Sequence, residues 1–396
     1  MSVAQIQDIV RYVNKSLESK PAEIIPFANY LPAQADWWSG NSANMIEIPF
    51  GVSKEKELVS LKITQESGQN SAVVIGIPGS GKSVFLHSII TNAIINYSPD
   101  ELELYLMDFS GVEFNTYALH NLPHAKVIAP EAEREFGLSV LRELKEEGSR
   151  RMELCRNNEV SNIVDLREKC PELKIPRQLV IIDEFQKLFE IENDSISKEA
   201  MSIIHIIIKE FRKFGINLIL ATQKLSDINS SILPKDLIAN RVVFRCSPTD
   251  IGLIGMNTVP QLRTGECVYN SESGVAFANK NVQTFFIAKK EIDEVLKQIK
   301  TVAVARNSVA KNTIIFRSDD LPDFKMPNIA SQIEPDEVDI YFGQPIAISE
   351  YDVSANLRKS SNDNILIIGG EQDVAQKLAI NSTMSAMSYY ADKSAK

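Results

Sequence analysis

The stretch that most restricts this chain is Gly76-Ile77-Pro78-Gly79-Ser80-Gly81-Lys82-Ser83, which follows the apolar run Val73-Val74-Ile75 and opens a helical pattern from Ser83 to Asn96. Its spacing is G-x-x-x-x-G-K-[ST]. Glycine is needed at such a turn because the backbone must curl until successive N–H groups face inward, and a Cβ would block that approach or resist the positive φ values. The following helix adds the partial positive charge of its N-terminus at the same place. Strand, turn and helix in this order form a cradle for a chain of phosphates, with Gly76, Pro78, Gly79, Ser80, Gly81, Lys82, Ser83 and Val84 as its candidate residues. Lys82 is placed to reach the β- and γ-phosphates of ATP, and the Ser83 hydroxyl to ligate Mg2+.

A second motif lies further along the chain. Leu179-Val180-Ile181-Ile182 is an apolar strand pattern that ends in Asp183 and Glu184. Two acids after a strand are ordinarily a solvated helix start. Beside a phosphate cradle they read as a site, with Asp183 holding the metal through water and Glu184 polarising the attacking water as general base. Asn217 to Lys224 is another buried strand pattern ending in polar groups, and Thr222 or Gln223 is the candidate sensor of the γ-phosphate.

Between about residue 70 and residue 290, short β-rich runs alternate with longer helical patterns, the mark of an α/β fold. Strands are predicted at Ala72–Gly76, Glu103–Asp108, Ala125–Ala129, Leu179–Asp183, Asn217–Thr222 and Arg241–Cys246. Near-continuous apolar runs imply parallel strands covered on both faces. Helices are predicted at Ser83–Asn96, Glu131–Arg156 and Lys198–Lys213, and Glu266–Tyr269, Val275–Ala278 and Val282–Ile287 read as an antiparallel addition at the sheet edge.

Composition excludes several classes. With 44% apolar and 24% charged residues the chain has material for a sizeable core. No apolar stretch approaches the roughly 20 residues that a membrane span needs, and the N-terminus lacks a signal-peptide pattern; a cytoplasmic location is expected. The four cysteines are scattered, with neither zinc-site pairs nor disulfide density. A net charge of −10 gives no general attraction to nucleic acid, so a DNA-binding surface would have to be local.

The flanks carry an ordered internal repeat. Ile6–Val10 recurs as Ile292–Leu296, Ile24–Ala33 as Ile314–Asp323, Ile46–Gly51 as Val338–Gly343, and Ser71–Gly76 as Asn364–Gly369, all at a nearly constant offset. In the second copy the glycine turn becomes Gly369 to Gln376, without the Gly-Lys-Ser group. The expected organisation is an N-terminal extension (1–50), an ATPase domain (51–290), a linker repeating the extension (291–335) and a degenerate, truncated second ATPase module (336–396), with further modules in the parent protein.

The run Tyr105 to Phe114, then Leu122 to His124, Arg150 to Met152, Ile181 to Phe185, Phe211 to Lys224 and Arg241 to Asp250 resembles the FtsK/SpoIIIE family of the HerA-FtsK motor superfamily. The resemblance implies a RecA-like P-loop core with a mostly parallel sheet between helices. It further implies assembly into a homo-oligomeric ring, usually a hexamer, that pulls a polymer through its pore as ATP is hydrolysed. A neighbouring subunit's arginine then completes each site, and Arg241 or Arg212 matches the family's candidates. Asp250-Ile251 departs from the family pattern after the Arg241 strand. Double-stranded DNA is the expected substrate. A type VII-like protein secretion motor and a nucleotide-gated assembly scaffold are the alternatives, although a pure switch has no need of Glu184.

Overall fold

Alternating parallel strands and helices build one large layer in the computed structural model, which describes residues 5, 23–66, 68–111, 113–227, 232–256, 259–308, 313–317, 337–343, 345–348, 353–358, 364–366, 368 and 372–394. The chain divides into two compact units, residues 1–318 and 319–396. In the first unit the elements run β1 (Ile25–Pro26), β2 (Met45–Ser53), β3 (Leu58–Thr64), β4 (Ser71–Ile75), α1 (Lys82–Asn96), β5 (Leu102–Asp108), α2 (Asn115–Leu119), β6 (Ala125–Glu131), α3 (Arg134–Asn157) and α4 (Ile163–Lys169). They continue with β7 (Arg177–Asp183), α5 (Ser195–Lys209), β8 (Ile216–Thr222), β9 (Asn240–Val243), α6 (Pro248–Leu253), β10 (Glu266–Asn270), β11 (Lys280–Phe286), α7 (Lys289–Ala305) and β12 (Ile314–Arg317).

The strands form one 12-stranded sheet in the order β12-β6-β5-β7-β8-β4-β9-β10-β11-β2-β3, with β1 added beside β11. From β12 to β9 every pair is parallel. From β9 onward the path is antiparallel. β4, β5, β7 and β8 are buried at every position, which is why their sequences read as continuous apolar runs rather than alternating ones. The crossover from β4 through α1 to β5 runs in the opposite sense to those through α3 and α5, so right-handed connections put α1 on one face and α3 with α5 on the other. Phe85, Leu86, Ile89 and Ile90 of α1 are completely buried in the core that includes Phe50 and Phe244.

Two expectations are corrected. Val275–Ala278 is not a strand but the tip of the β10–β11 hairpin, where Ala276–Ala278 forms a 3-10 turn. The Asn270 carboxamide oxygen accepts the N–H groups of Glu272 and Gly274, closing the turn early and leaving Phe277 85% exposed. The boundaries at 50/51 and 290/291 also fail as breaks. β2 crosses the first and pairs with β11, and the expected linker begins as α7, which buries Ile292, Val295, Leu296 and Ile299 in the first unit's core. Residues 6–10, 319–336 and 369–371, which carry parts of the repeat, lie outside the described residues.

The second unit contains the hairpin β13 (Glu337–Gly343) and β14 (Val353–Arg358), and α8 (Gln372–Ser394). Its strand Val338–Gly343 matches Ile46–Gly51 in form as well as letters. The β2–β3 pairing slips register between Pro49 and Gly51, and the β13–β14 pairing slips between Tyr341 and Gly343, the equivalent positions. The following helix bonds to that strand in both cases: Asn92 donates to the Pro49 carbonyl at 2.7 Å, and Ser385 accepts the Tyr341 N–H at 3.0 Å. In contrast, Ile25–Pro26 pairs with β11 while its counterpart at Ile314–Arg317 pairs with β6.

On the α3–α5 face, Gly148 of α3 lets the buried Phe211 ring lie directly against the helix backbone, since a Cβ there would stand 2.3 Å from two ring carbons. Alanine ordinarily improves a helix interior by about 1 kcal/mol over glycine. Here overpacking, typically about 1–3 kcal/mol, outweighs that gain. Gly148→Ala is therefore expected to lower the denaturant midpoint of unfolding, and an unchanged or raised midpoint would show that the Phe211 contact is not tight.

Candidate nucleotide and metal site

β4 lies between β8 and β9, and the chain leaves its carboxyl end toward β5 on one side while β9 is reached from β8 on the other. Such a divergence opens a crevice at the strand ends where ligands of open α/β sheets bind. The glycine turn fills this position. The Gly76 N–H bonds to the Thr222 carbonyl at 3.2 Å and the Ile77 N–H to the Arg245 carbonyl at 3.0 Å, which fixes the turn to both neighbouring strands. Gly79 and Gly81 have φ of 72° and 110°. At Gly81 a Cβ would also come within 2.9 Å of the Gly265 nitrogen, because the loop before β10 is held against the turn. The Gly265 N–H donates to the Ser80 carbonyl at 2.8 Å and the Thr264 hydroxyl to the Gly79 carbonyl at 3.1 Å. Ser80 Oγ is buried without a hydrogen-bond partner among the described residues. Pro78 is exposed, and Val84 packs against the core. Lys82 and Ser83 open α1, where N–H groups have no partner inside the helix.

The two acids meet this turn. Asp183 ends β7, and β8 separates β7 from β4, so the Lys82 side chain passes over the end of β8. Its ammonium bonds to Asp183 Oδ1 and, at 2.6 Å, to Glu184 Oε1. All three side chains are at least 95% buried. Burial pushes the Asp183 carboxyl up to about 6, although Lys82 pulls the other way. For Lys82 burial works against the charge, yet the two carboxylates overcome it and hold the ammonium above its ordinary range. Glu184 has φ 53°, a left-handed conformation that costs a non-glycine residue about 1–3 kcal/mol and is characteristic of functional sites.

The sequence reading missed two further contributors. Asp108 ends β5 in register with Asp183, and its carboxylate accepts the N–H groups of Ser110 (2.6 Å) and Glu113 (2.8 Å), folding the loop after β5. That loop delivers the Glu113 carboxylate to the Ser83 hydroxyl at 2.7 Å and to His87 at 3.4 Å. The bond from His87, together with those from Ser83 and the nearby Lys82 charge, holds the Glu113 carboxyl below its usual range despite partial burial. An acid shortly after a strand neighbouring the Asp183 strand was the signal available. The other contributor is Gln186, in the 3-10 turn after Glu184. Its amide donates to Glu184 Oε2 at 2.7 Å, and its oxygen accepts the Thr222 hydroxyl at 2.7 Å. Gln223 reaches Glu184 through its backbone N–H, at 3.3 Å.

The two candidate arginines are placed away from this cluster. Arg241, the second residue of β9, is in register with Val73, is 2% exposed, and donates to the carbonyls of Lys235, Ile238 and Gly255. Its guanidinium is consumed inside its own subunit, tying the loops at the far end of β9. Arg212 precedes β8 at the sheet edge opposite the glycine turn and bonds to the carbonyls of Lys209 and Gln65 while staying partly open. Asp250, the departure from the family pattern, is buried and accepts the N–H groups of Leu225 and Ser226, bracing the loop that follows β8.

These residues fit Mg2+ with a nucleotide. Ser83, Asp183 and Glu113 supply hard oxygen donors beside a phosphate cradle. Among the described residues no cluster of three or more His, Cys, Asp or Glu side chains forms a metal cage; magnesium does not require one, since it takes phosphate and water oxygens as ligands.

The FtsK/SpoIIIE family profile matches residues 31–234. Over 274 residues the chain is 30% identical to the DNA translocase FtsK of Staphylococcus epidermidis, covering 64% of this chain and 32% of that protein. Over 197 residues it is 28% identical to the ESX secretion system protein YukB of Bacillus subtilis, covering 48% of this chain and 13% of that one. The fold is also that of EssC (ATPases 2 and 3) from Geobacillus thermodenitrificans, with a TM-score of 0.60 at 15% identity over 91% of this chain and 67% of that one. The chain thus spans about a third or less of these curated relatives. No helix among the described residues is long and apolar enough to cross a membrane.

Lys82→Ala is expected to weaken ADP binding with and without Mg2+, whereas Ser83→Ala should weaken it only when Mg2+ is present. A charge-assisted hydrogen bond of about 1.5–3 kcal/mol corresponds to roughly 10- to 100-fold in affinity. Titration of a fluorescent ADP analogue with Mg2+ or EDTA measures both, and equal losses for Ser83→Ala under the two conditions would remove it from the metal.

Proposed function

We propose that this chain, which belongs to the FtsK/SpoIIIE family, hydrolyses ATP with Mg2+ and works as a homo-oligomeric ring, in the form of a hexamer, that moves along double-stranded DNA. The observation that carries the hydrolytic part is the bonding of Lys82 to Asp183 and Glu184 across the end of β8. A phosphate chain seated on the glycine turn shares the Lys82 ammonium, which lies where negative charge develops on the transferred group. Glu184 then accepts the proton of the attacking water. Ser83 and Asp183 would hold Mg2+, which neutralises phosphate charge and orients the chain. Arg212, partly open at the opposite edge of its own sheet, serves the site of the next subunit, while the buried Arg241 has a structural part.

DNA is favoured as the polymer because the similarity to the DNA translocase extends over 274 residues, against 197 for the secretion protein. The secretion reading draws support from the second unit. Its bulged hairpin and helix, with the helix-to-strand bond at the same place, are what the start of another module of this type would contain. In that organisation residues 319–396 begin a degenerate module of a tandem array.

Lys82→Ala and Glu184→Gln should each abolish ATP turnover, the latter with ATP still bound; normal turnover by Glu184→Gln would remove it as the base. Double-stranded DNA should raise turnover severalfold at low salt and lose that effect as salt increases, because phosphate contacts release counterions. Indifference to any DNA, combined with capture of a small helical secreted protein, would transfer the assignment to secretion.

A further inference from the structure

Glu184 is held from more than one side, and one of its partners, Gln186, lies outside the glycine turn and the acid pair. Its Oε1 accepts from Lys82, and its Oε2 accepts from the Gln186 amide at 2.7 Å and the Gln223 N–H at 3.3 Å. A carboxylate offers about four acceptor positions, so three donors leave one direction for the hydrogen of a water. The amide orientation of Gln186 is set by its surroundings: a carboxylate can only accept, and the Thr222 hydroxyl donates to the other end of the group. Thr222 is fully buried in the last position of β8. Its carbonyl receives the first N–H of the glycine turn, and its hydroxyl receives the Lys224 N–H at 3.1 Å, at the start of the loop that Asp250 braces from its other side.

We infer that Gln186 is a positioning residue that aims the Glu184 carboxylate at the attacking water and ties that aim to Thr222 at the end of β8. Through this bridge the base, the first residue of the glycine turn and the loop after β8 share one hydrogen-bonded unit. The bonds of the Gln186 side chain go to Glu184 and Thr222, so its effect is expected on the chemical step. The inference rests on the reading of Glu184 as the base.

The test uses the full chain with Gln186→Ala, Thr222→Val, the double variant and Thr222→Ser. Gln186→Ala should lower kcat about tenfold or more while KM and ADP affinity stay within about twofold, the pattern of a lost transition-state interaction. Thr222→Val should behave alike, Thr222→Ser should keep kcat because it keeps the hydroxyl, and the double variant should be no slower than the slower single, as expected of residues acting as one unit. A readout independent of turnover is trapping with ADP and aluminium fluoride, which Gln186→Ala should weaken while leaving ADP alone unaffected. The inference is overturned by a Gln186→Ala kcat near that of the parent chain, by a rise in KM or a loss of ADP affinity in step with the fall in kcat, or by single effects that multiply in the double variant. Turnover by the parent chain and its loss in Glu184→Gln report separately on hydrolysis, so the two readings fail independently.

Discussion

One ammonium group holds together two strands that never touch. Lys82 starts the helix after β4, Asp183 ends β7, and β8 runs between them, so the bond from Lys82 to Asp183 and Glu184 joins them directly across the carboxyl edge. Burying one cation with two anions is expensive, and such groups persist only where geometry and hydrogen bonds offset the loss of water. The excess negative charge and the left-handed Glu184 both work against stability. Nothing in the packing of the sheet requires either. Both fit the proposed role of the cluster, in which a divalent cation would take up part of the carboxylate charge.

The fold was legible because its signals were redundant. The glycine turn, the apolar run before it and the helix after it each point to the same local structure, and the four innermost parallel strands are buried at every position, so their sequences contain little else than apolar residues. Lys82, Ser83, Asp183 and Glu184 could be read for the same reason: motif and structural context coincide. Glu113 and Gln186 could not. Each is an ordinary polar residue on an irregular segment, and it reaches the site only because Asp108 folds one loop and Glu184 bends the other. Arg241 is the reverse case. It was a candidate through the family resemblance alone, and the carbonyl oxygens of Ile238, Gly255 and Lys235 hold its planar head. The hairpin tip at Val275–Ala278 was misjudged because apolar letters outweighed the Asn270 side chain that closes the turn.

The domain limits were misplaced for a related physical reason. Repeated words mark where similar segments recur, whereas a folding unit is bounded by where burial ends. α7 carries a repeated word yet contributes Ile292 and Ile299 to the first unit's interior. The repeat is informative at a different level, as a shared geometry: a strand that slips register at the same glycine, followed by a helix that bonds to it.

Gly81 lies against the Gly265 backbone where the parallel half of the sheet meets the antiparallel half, with a backbone bond from Gly265 to Ser80 beside them. At that point of closest approach the two backbones meet directly, and the Thr264 hydroxyl bonds to the Gly79 carbonyl beside it. The gauge of that gap is consequently a peptide dimension, indifferent to the identity of the apolar residues that fill the interior on either side. Sequence drift in the core can alter how firmly the molecule holds together well before it alters the bore of the phosphate cradle.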